Sequence, residues 1–282
     1  MPETPSLTDR PALERYRDRA LRMAEPALFL QHEAAAEVQE RLTEVNRAFT
    51  APAVISPFPE VWRPALPGAV HLPDTDILAL EQGAHDLVVH GLSLHWANDP
   101  VGQLVQCRRA LRPDGLFIGV LFGGRTLQEL RAALAEAEVR ATGGLSPRVA
   151  PMGEIRDLGA LLQRAGFALP VADSAARTVT YASPFHLMAD LRAMGEANAL
   201  AHRRKTPPPR RLFTDMAAIY SDRYGTPDGR IPATFETIFL TGWAPDASQP
   251  KPLRPGSAVA RLADALRADE IALPDRAGPA RD

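Results

Sequence analysis

Apolar residues recur at helical spacing from the start of the chain. Leu13, Tyr16, Ala20 and Leu21, then Phe29, Leu30, Val38, Leu42 and Val45, mark residues 11–47 as helix. Pro26 divides that stretch in two, since its ring nitrogen offers no N–H to the helical ladder. The pattern then changes. Ala53-Val54-Ile55 is a short unbroken apolar run that predicts a strand over 52–56, cut by Ser56-Pro57-Phe58-Pro59. The strongest pattern spans 85–122. "HDLVVHGLSLHW" carries an apolar burst of the kind found in parallel strands buried on both faces. "NDPVGQLVQCRRALRPDG" follows as a helix, with Asn98 or Asp99 at its N-cap and Pro-Asp-Gly as its stop. "GLFIGVLFGG" is the next strand, so this is a βαβ unit with a parallel sheet and a right-handed crossover.

Beyond it, "TLQELRAALAEAE" predicts a helix on the stripe Leu127, Leu130 and Leu134, with Thr126 and Glu129 spaced as a capping box and Gly143-Gly144 at its end. "EIRDLGALLQRAGF" is a further amphipathic helix stopped by Gly166. Weak alternation over 168–183 predicts a strand, 184–205 and 210–224 read as helix, and "ATFETIFLTGWAP" predicts a last strand at 233–243. The organisation is N-terminal helices over 1–50, an α/β domain over 51–244 with a helical insertion at 184–224, and a proline-rich tail over 245–282 with a short helix near 257–268.

Composition narrows the function. The chain has 282 residues and a net charge of -2, so the basic excess of a nucleic-acid binder is missing. Cys107 is the one cysteine, which excludes an intramolecular disulfide and a cysteine-cluster metal site; no metal is expected. The longest apolar run, Leu116 to Phe122, is too short to span a bilayer. Residues 1–20 lack the apolar core of a secretory signal. A soluble, cytoplasmic protein is the expectation. The 27 prolines are about twice the usual ~5% share and gather in 52–73, 207–209 and 245–255, which predicts loops or linkers there.

The words "HDLVVHGLSLHWANDP", "ALRPDGLFIGVLFGGRTLQELR", "GGLSPRVAP", "DLGALLQRAGF" and "MADLRAMGEAN" resemble one branch of the class I S-adenosylmethionine (SAM) methyltransferases. That branch holds the methyltransferase-fold assembly factors of respiratory complex I and their bacterial relatives. The resemblance covers roughly residues 10–45 and 70–256. It implies a Rossmann-like sheet whose last strand enters antiparallel, and an arginine-modifying activity known in the family.

The resemblance also exposes a departure. In the family the first strand runs into an Asp-Leu-Gly-Cys-Gly-type turn that lets the backbone approach SAM. Here the turn reads Ile55-Ser56-Pro57-Phe58-Pro59-Glu60, with no glycine and two residues that lack an N–H. Only 28 residues, Pro57 to Ala84, separate the first strand from the strand starting near His85. One βαβ unit needs about 30 or more. A helix and a strand are therefore expected to be missing, together with the acid that would hold the SAM ribose. The expected sheet has five or six strands.

Ser56, Pro57, Phe58, Pro59, Asp74, His90 and Gly91 are then vestigial cofactor positions, Asp74 as a survivor of the adenine-side loop and His90 as a filler of vacated space. No cofactor is expected, with SAM as the alternative. The substrate or partner cleft is assigned to His95, Trp96, Gly123, Gly124, Arg125, Thr126, Met194, Glu196, Asn198 and Trp243. His95 is a general base or a wall residue; Glu196 receives a cationic group or is a solvated helix end. Arg125, standing where relatives carry an acid, would oppose a basic target. "HRRKTPPPRR" at 202–211 is a solvated loop or a docking patch. Three readings follow: a non-catalytic scaffold that binds a paralogue, a second copy or a respiratory-complex subunit; an active SAM-dependent enzyme; and a cleft repurposed for another ligand. No nucleic acid and no membrane span are expected.

Overall fold

The computed structural model describes residues 6–250, so the helix expected near 257–268 lies outside the described residues. Two helices come first, α1 (Arg10–Leu21) and α2 (Phe29–Val45), separated around Pro26 as the pattern predicts. Asp9 caps α1 by accepting the Ala12 N–H, and Asn46 ends α2 in the left-handed conformation. The sheet begins with β1 (Pro52–Ile55), all four residues of which are buried. The proline-rich segment after it is not simply a loop. Pro59–Ala65 forms a short helix, α3, because a proline at the first turn has no hydrogen bond to lose. The three-residue strand β2 (Val70–Leu72) follows.

The βαβ unit is β3 (His85–His90), α4 (Pro100–Ala110) and β4 (Leu111–Phe122). Asp99 is the N-cap of α4, while Asn98 instead accepts the Leu7 and Thr8 N–H groups at 2.9 and 2.8 Å. Residues 113–115, expected as a helix stop, are the start of β4 itself. The helices α5 (Gln128–Thr142) and α6 (Ile155–Arg164) lead to β5 (Ala168–Tyr181). The insertion holds α7 (Pro184–Ala193) and α8 (Arg210–Tyr224), but residues 194–209 are turns and coil rather than helix. The last strand is β6 (Ile231–Trp243). These elements all lie in the compact unit that ends at Asp246.

The strands form one six-stranded sheet in the order β2-β1-β3-β4-β6-β5. β2, β1, β3 and β4 run parallel, and β6 slots antiparallel between β4 and β5. This is the α/β, Rossmann-like class I methyltransferase arrangement with a shortened β1 side, as the short interval requires. Apolar cores cover both faces. One packs Val54, Leu87, Val89, Leu116 and Ile118 under α2, α3, α5 and α8; the other packs Ala53, Val88, Phe117, Leu121 and Leu240 under α4 and α6. Cys107 is buried in the second, and burial pushes its thiol pKa upward, so it behaves as a small core residue.

Candidate functional site

Ligands of open α/β sheets bind at the carboxyl ends of the parallel strands. Here those ends are Ile55, His90 and Phe122. The two halves of this rim are built differently.

At the β1–β3 half, aromatic rings replace a glycine turn. Ser56 donates its N–H to Leu72 O at 3.0 Å, and Phe58 donates its own to Ser56 Oγ at 3.2 Å. Phe58 and, one helical turn on, Trp62 point into the core and are 1% and 0% exposed. The Trp62 indole crosses the end of β3 at Gly91; a Cβ on Gly91 would lie 2.5 Å from that ring. Trp62 Nε1 donates to Gln31 Oε1 at 3.1 Å, and Gln31 Nε2 donates to Leu92 O at 3.3 Å. The indole and amide therefore satisfy each other inside the core.

His90 is also fully buried, paired with Gln103 Oε1 at 2.7 Å, and burial lowers its pKa to about 4. Asp74 is not poised for an adenine. Arg17 Nη1 holds both its oxygens at 2.9 Å, and Arg10 Nη2 donates to its carbonyl at 2.5 Å. Burial would raise the Asp74 pKa, but the two guanidiniums outweigh it and hold the carboxyl below its ordinary value. Asp74 thus fastens α1 across the rim. Trp62 and Arg17 do most to occupy this half and neither was read from the sequence; the i,i+4 spacing of Phe58 and Trp62 just after Pro57 is the signal that was there.

The β4 half is open. A cavity of about 230 Å³ lies beside Phe122, walled by Leu127, Leu130 of α5, Met188 and Leu191 of α7 and Phe213 of α8. Trp96, Thr126, Met194, Glu196 and Asn198 also line it. The fold brings His95, Trp96 and Glu196 together across 100 residues. Trp96 Nε1 donates to Glu196 Oε2 at 2.7 Å, and His95 Nε2 lies 3.3 Å from the same oxygen. Glu196 does close the C-terminus of α7, its N–H donating to Leu191 O at 2.9 Å, but its side chain is not solvated. Burial would raise its pKa, but His95, Arg17 and the Trp96 N–H together lower it, so it is ionised at neutral pH. His95 also packs 4.8 Å from the Phe122 ring, and its Nδ1 is buried without a hydrogen-bond partner. Asn198 Nδ2 donates to Pro147 O at 2.8 Å, which ties the insertion to the loop after α5.

The glycine turn after β4 is structural. Gly123 donates its N–H to Glu236 O at 2.8 Å, and a Cβ there would meet the Glu236 carboxylate at 2.5 Å. Gly124 is crowded in the same way by the Glu154 carboxylate. No capping box forms. Leu127 precedes α5 at φ 55°, Thr126 Oγ1 donates to Glu236 O, and Glu129 accepts the Thr234 N–H and hydroxyl. Arg125 is exposed, off the cavity lining, and its N–H donates to Glu236 Oε2. Trp243 is not in the cleft. It pairs with Leu116, at the opposite end of the β4–β6 ladder from Phe122, because β6 runs antiparallel. In the basic stretch, Arg203 is held by Asp9 at 2.9 Å, while Arg204, Arg210 and Arg211 are exposed.

Residues 56–119 match the methyltransferase domain family. The chain is 41% identical over 199 residues to "Arginine-hydroxylase NDUFAF5, mitochondrial" of Danio rerio, covering 71% of this chain and 62% of that protein. It is 39% identical over 211 residues to the Homo sapiens protein of the same name, covering 75% and 61%. It is 35% identical over 208 residues to "Malonyl-[acyl-carrier protein] O-methyltransferase" of Halorhodospira halophila, covering 72% and 67%. The chain therefore spans about three-fifths of the length of the NDUFAF5 proteins. These relatives overturn the cytoplasmic expectation, since they are named as mitochondrial. Composition had no power there: an ordinary charge balance suits any aqueous compartment. No helix among the described residues is long and apolar enough to cross a membrane.

Proposed function

We propose, from the premise that this chain belongs to the class I SAM-dependent methyltransferase superfamily and is an NDUFAF5-like member of it, that it acts as a binding protein in complex I assembly without using SAM. One observation carries this reading. Phe58 and Trp62 fill the space at the ends of β1 and β3, so the residues present do not fit the cofactor there. Burying two such aromatic side chains contributes roughly 1.5–3 kcal/mol each, which a ligand would have to displace. The cavity beside Phe122 is the part of the rim left to recognise a partner. Its apolar walls suit the stem of a long side chain, and the ionised Glu196 suits a cationic head. A basic segment of a respiratory-complex subunit is the partner this favours.

Calorimetric titration of SAM into the intact chain tests it directly. No heat is expected up to millimolar SAM; low-micromolar binding would overturn the proposal. A pull-down from respiring cells with wild type and a Glu196→Gln variant tests the partner side, and equal recovery by both forms would remove Glu196 from it.

A second reading keeps catalysis, since the NDUFAF5 relatives are named arginine-hydroxylases and Glu196, paired with the buried His95, lines the cavity. Mass spectrometry of an arginine peptide incubated with the protein decides for this reading if the peptide gains mass with wild type and not with His95→Phe.

A further inference from the structure

The sheet has two edges, and they are unequal. β2 has three residues and is followed by Pro73, whereas β5 runs for fourteen, Ala168 to Tyr181. Along β5, residues 174–178 are all exposed, on both faces of the strand. Long open edges invite pairing.

The register says which backbone groups are available. On β6, Glu236 accepts the Gly123 N–H with its carbonyl and gives its own N–H to Thr126 Oγ1, and Thr234 gives its N–H to Glu129. Glu236 and Thr234 therefore turn away from β5, and their neighbours Phe235 and Thr237 turn toward it, opposite Arg177 and Ala175. Odd-numbered residues of β5 thus bond to β6, and Ala172, Ser174, Ala176 and Thr178 direct their N–H and C=O groups to the open side. The carbonyl of Thr180, next in that series, is bonded by Arg230 Nη2 at 2.6 Å, which closes the open stretch at that end.

The sequence of this stretch, Val171-Ala-Asp-Ser-Ala-Ala-Arg-Thr-Val179, is self-complementary about Ala175. An antiparallel two-fold axis there sets Ser174 against Ala176 and Ala172 against Thr178, the residues with free backbone groups. It sets Asp173 opposite Arg177 and Val171 opposite Val179. These fall in the non-hydrogen-bonded positions, where facing side chains approach most closely. Asp173 already meets Arg41, and Arg177 meets Glu33, within the chain, yet the two side chains remain 41% and 58% exposed. Val171, at 55% exposed, gains an apolar neighbour.

We infer that two copies of this chain associate through β5, edge to edge and antiparallel about Ala175, to make one continuous sheet. The pairing is isologous, so each contact occurs twice. The strand contact alone is smaller than a standard interface, so the dimer forms in a concentration-dependent way.

Light scattering after size exclusion, run across about 5–500 µM, tests it. Wild type is expected to double its molar mass over that range. Asp173→Arg sets Arg opposite Arg177, and Arg177→Asp sets Asp opposite Asp173, so each variant alone should stay monomeric. Mixed in equal amounts, they should form a heterodimer, because every charge then faces its opposite. A wild-type monomer at all concentrations would overturn the inference, as would a mixture that stays monomeric. Ala176→Pro, which removes an N–H directed away from β6, separates β5 from any other interface: a dimer persisting in that variant refutes this one.

Discussion

The β1–β3 and β4 halves of the rim stand at the same end of the same sheet, yet one is core and the other is a cavity. In the first, Phe58, Trp62 and His90 are fully buried and Asp74 is clamped by Arg17. In the second, about 230 Å³ remains open beside Phe122, next to the ionised Glu196. On the reading proposed above, a binding fold gives up one ligand without giving up its architecture. Side chains of the chain itself fill the rim at β1 and β3, and the strands that carry the other half keep their places.

Removing Trp62 should break the contrast most severely. Trp62→Ala leaves a void under Gly91 and strands the Gln31 amide, so a loss of about 3–5 kcal/mol is expected in denaturant unfolding. SAM binding by that variant would show that the indole alone blocks the cofactor; no binding points to the missing strand as well.

Acid is the next test. His90 has a pKa of about 4 when folded, against 6.5 for the ordinary side chain. The unfolded chain binds that proton first, so the stability that His90 contributes is complete above about pH 6.5 and is lost as pH falls toward 4. The expected loss is about 3 kcal/mol. His90→Gln should be less stable at pH 7 and show a flatter profile over that window. Asp74 and Glu196, both with lowered pKa values, add a further loss as they are protonated at lower pH.

The smallest effect is the sharpest comparison. Ala35, one helical turn after Gln31, is buried in the filled cluster, and Ala150 lines the cavity. Ala35→Leu should cost about 1–3 kcal/mol through overpacking, whereas Ala150→Leu should change stability by less than about 1 kcal/mol. Equal costs at the two sites would mean the halves are packed alike.

Much of the fold was legible because its signals are local. The βαβ unit follows from apolar runs joined by a capped helix, and the missing strand follows from a count of residues between Pro57 and Ala84. The site was legible only in part. Glu196 and Trp96 were singled out, but their hydrogen bond joins residues 100 apart, and no spacing rule reports that. The spacing of Thr126 and Glu129 suggested a capping box, yet both turn to β6, where buried backbone groups of Thr234 and Glu236 needed partners. Trp243 was misplaced because sequence order does not say which end of an antiparallel strand faces the rim.

The order of the last strands also has a consequence in time. β5 is made before β6, its one partner in the sheet, and the segment from Tyr181 to Ile231 lies between them. At translation rates of about 5–20 residues per second, both edges of β5 wait unpaired for roughly 2–10 s on each ribosome. Neighbouring nascent chains on one message would carry the same self-complementary strand, so during that interval the β5 edge is exposed to its own copy as well as to solvent.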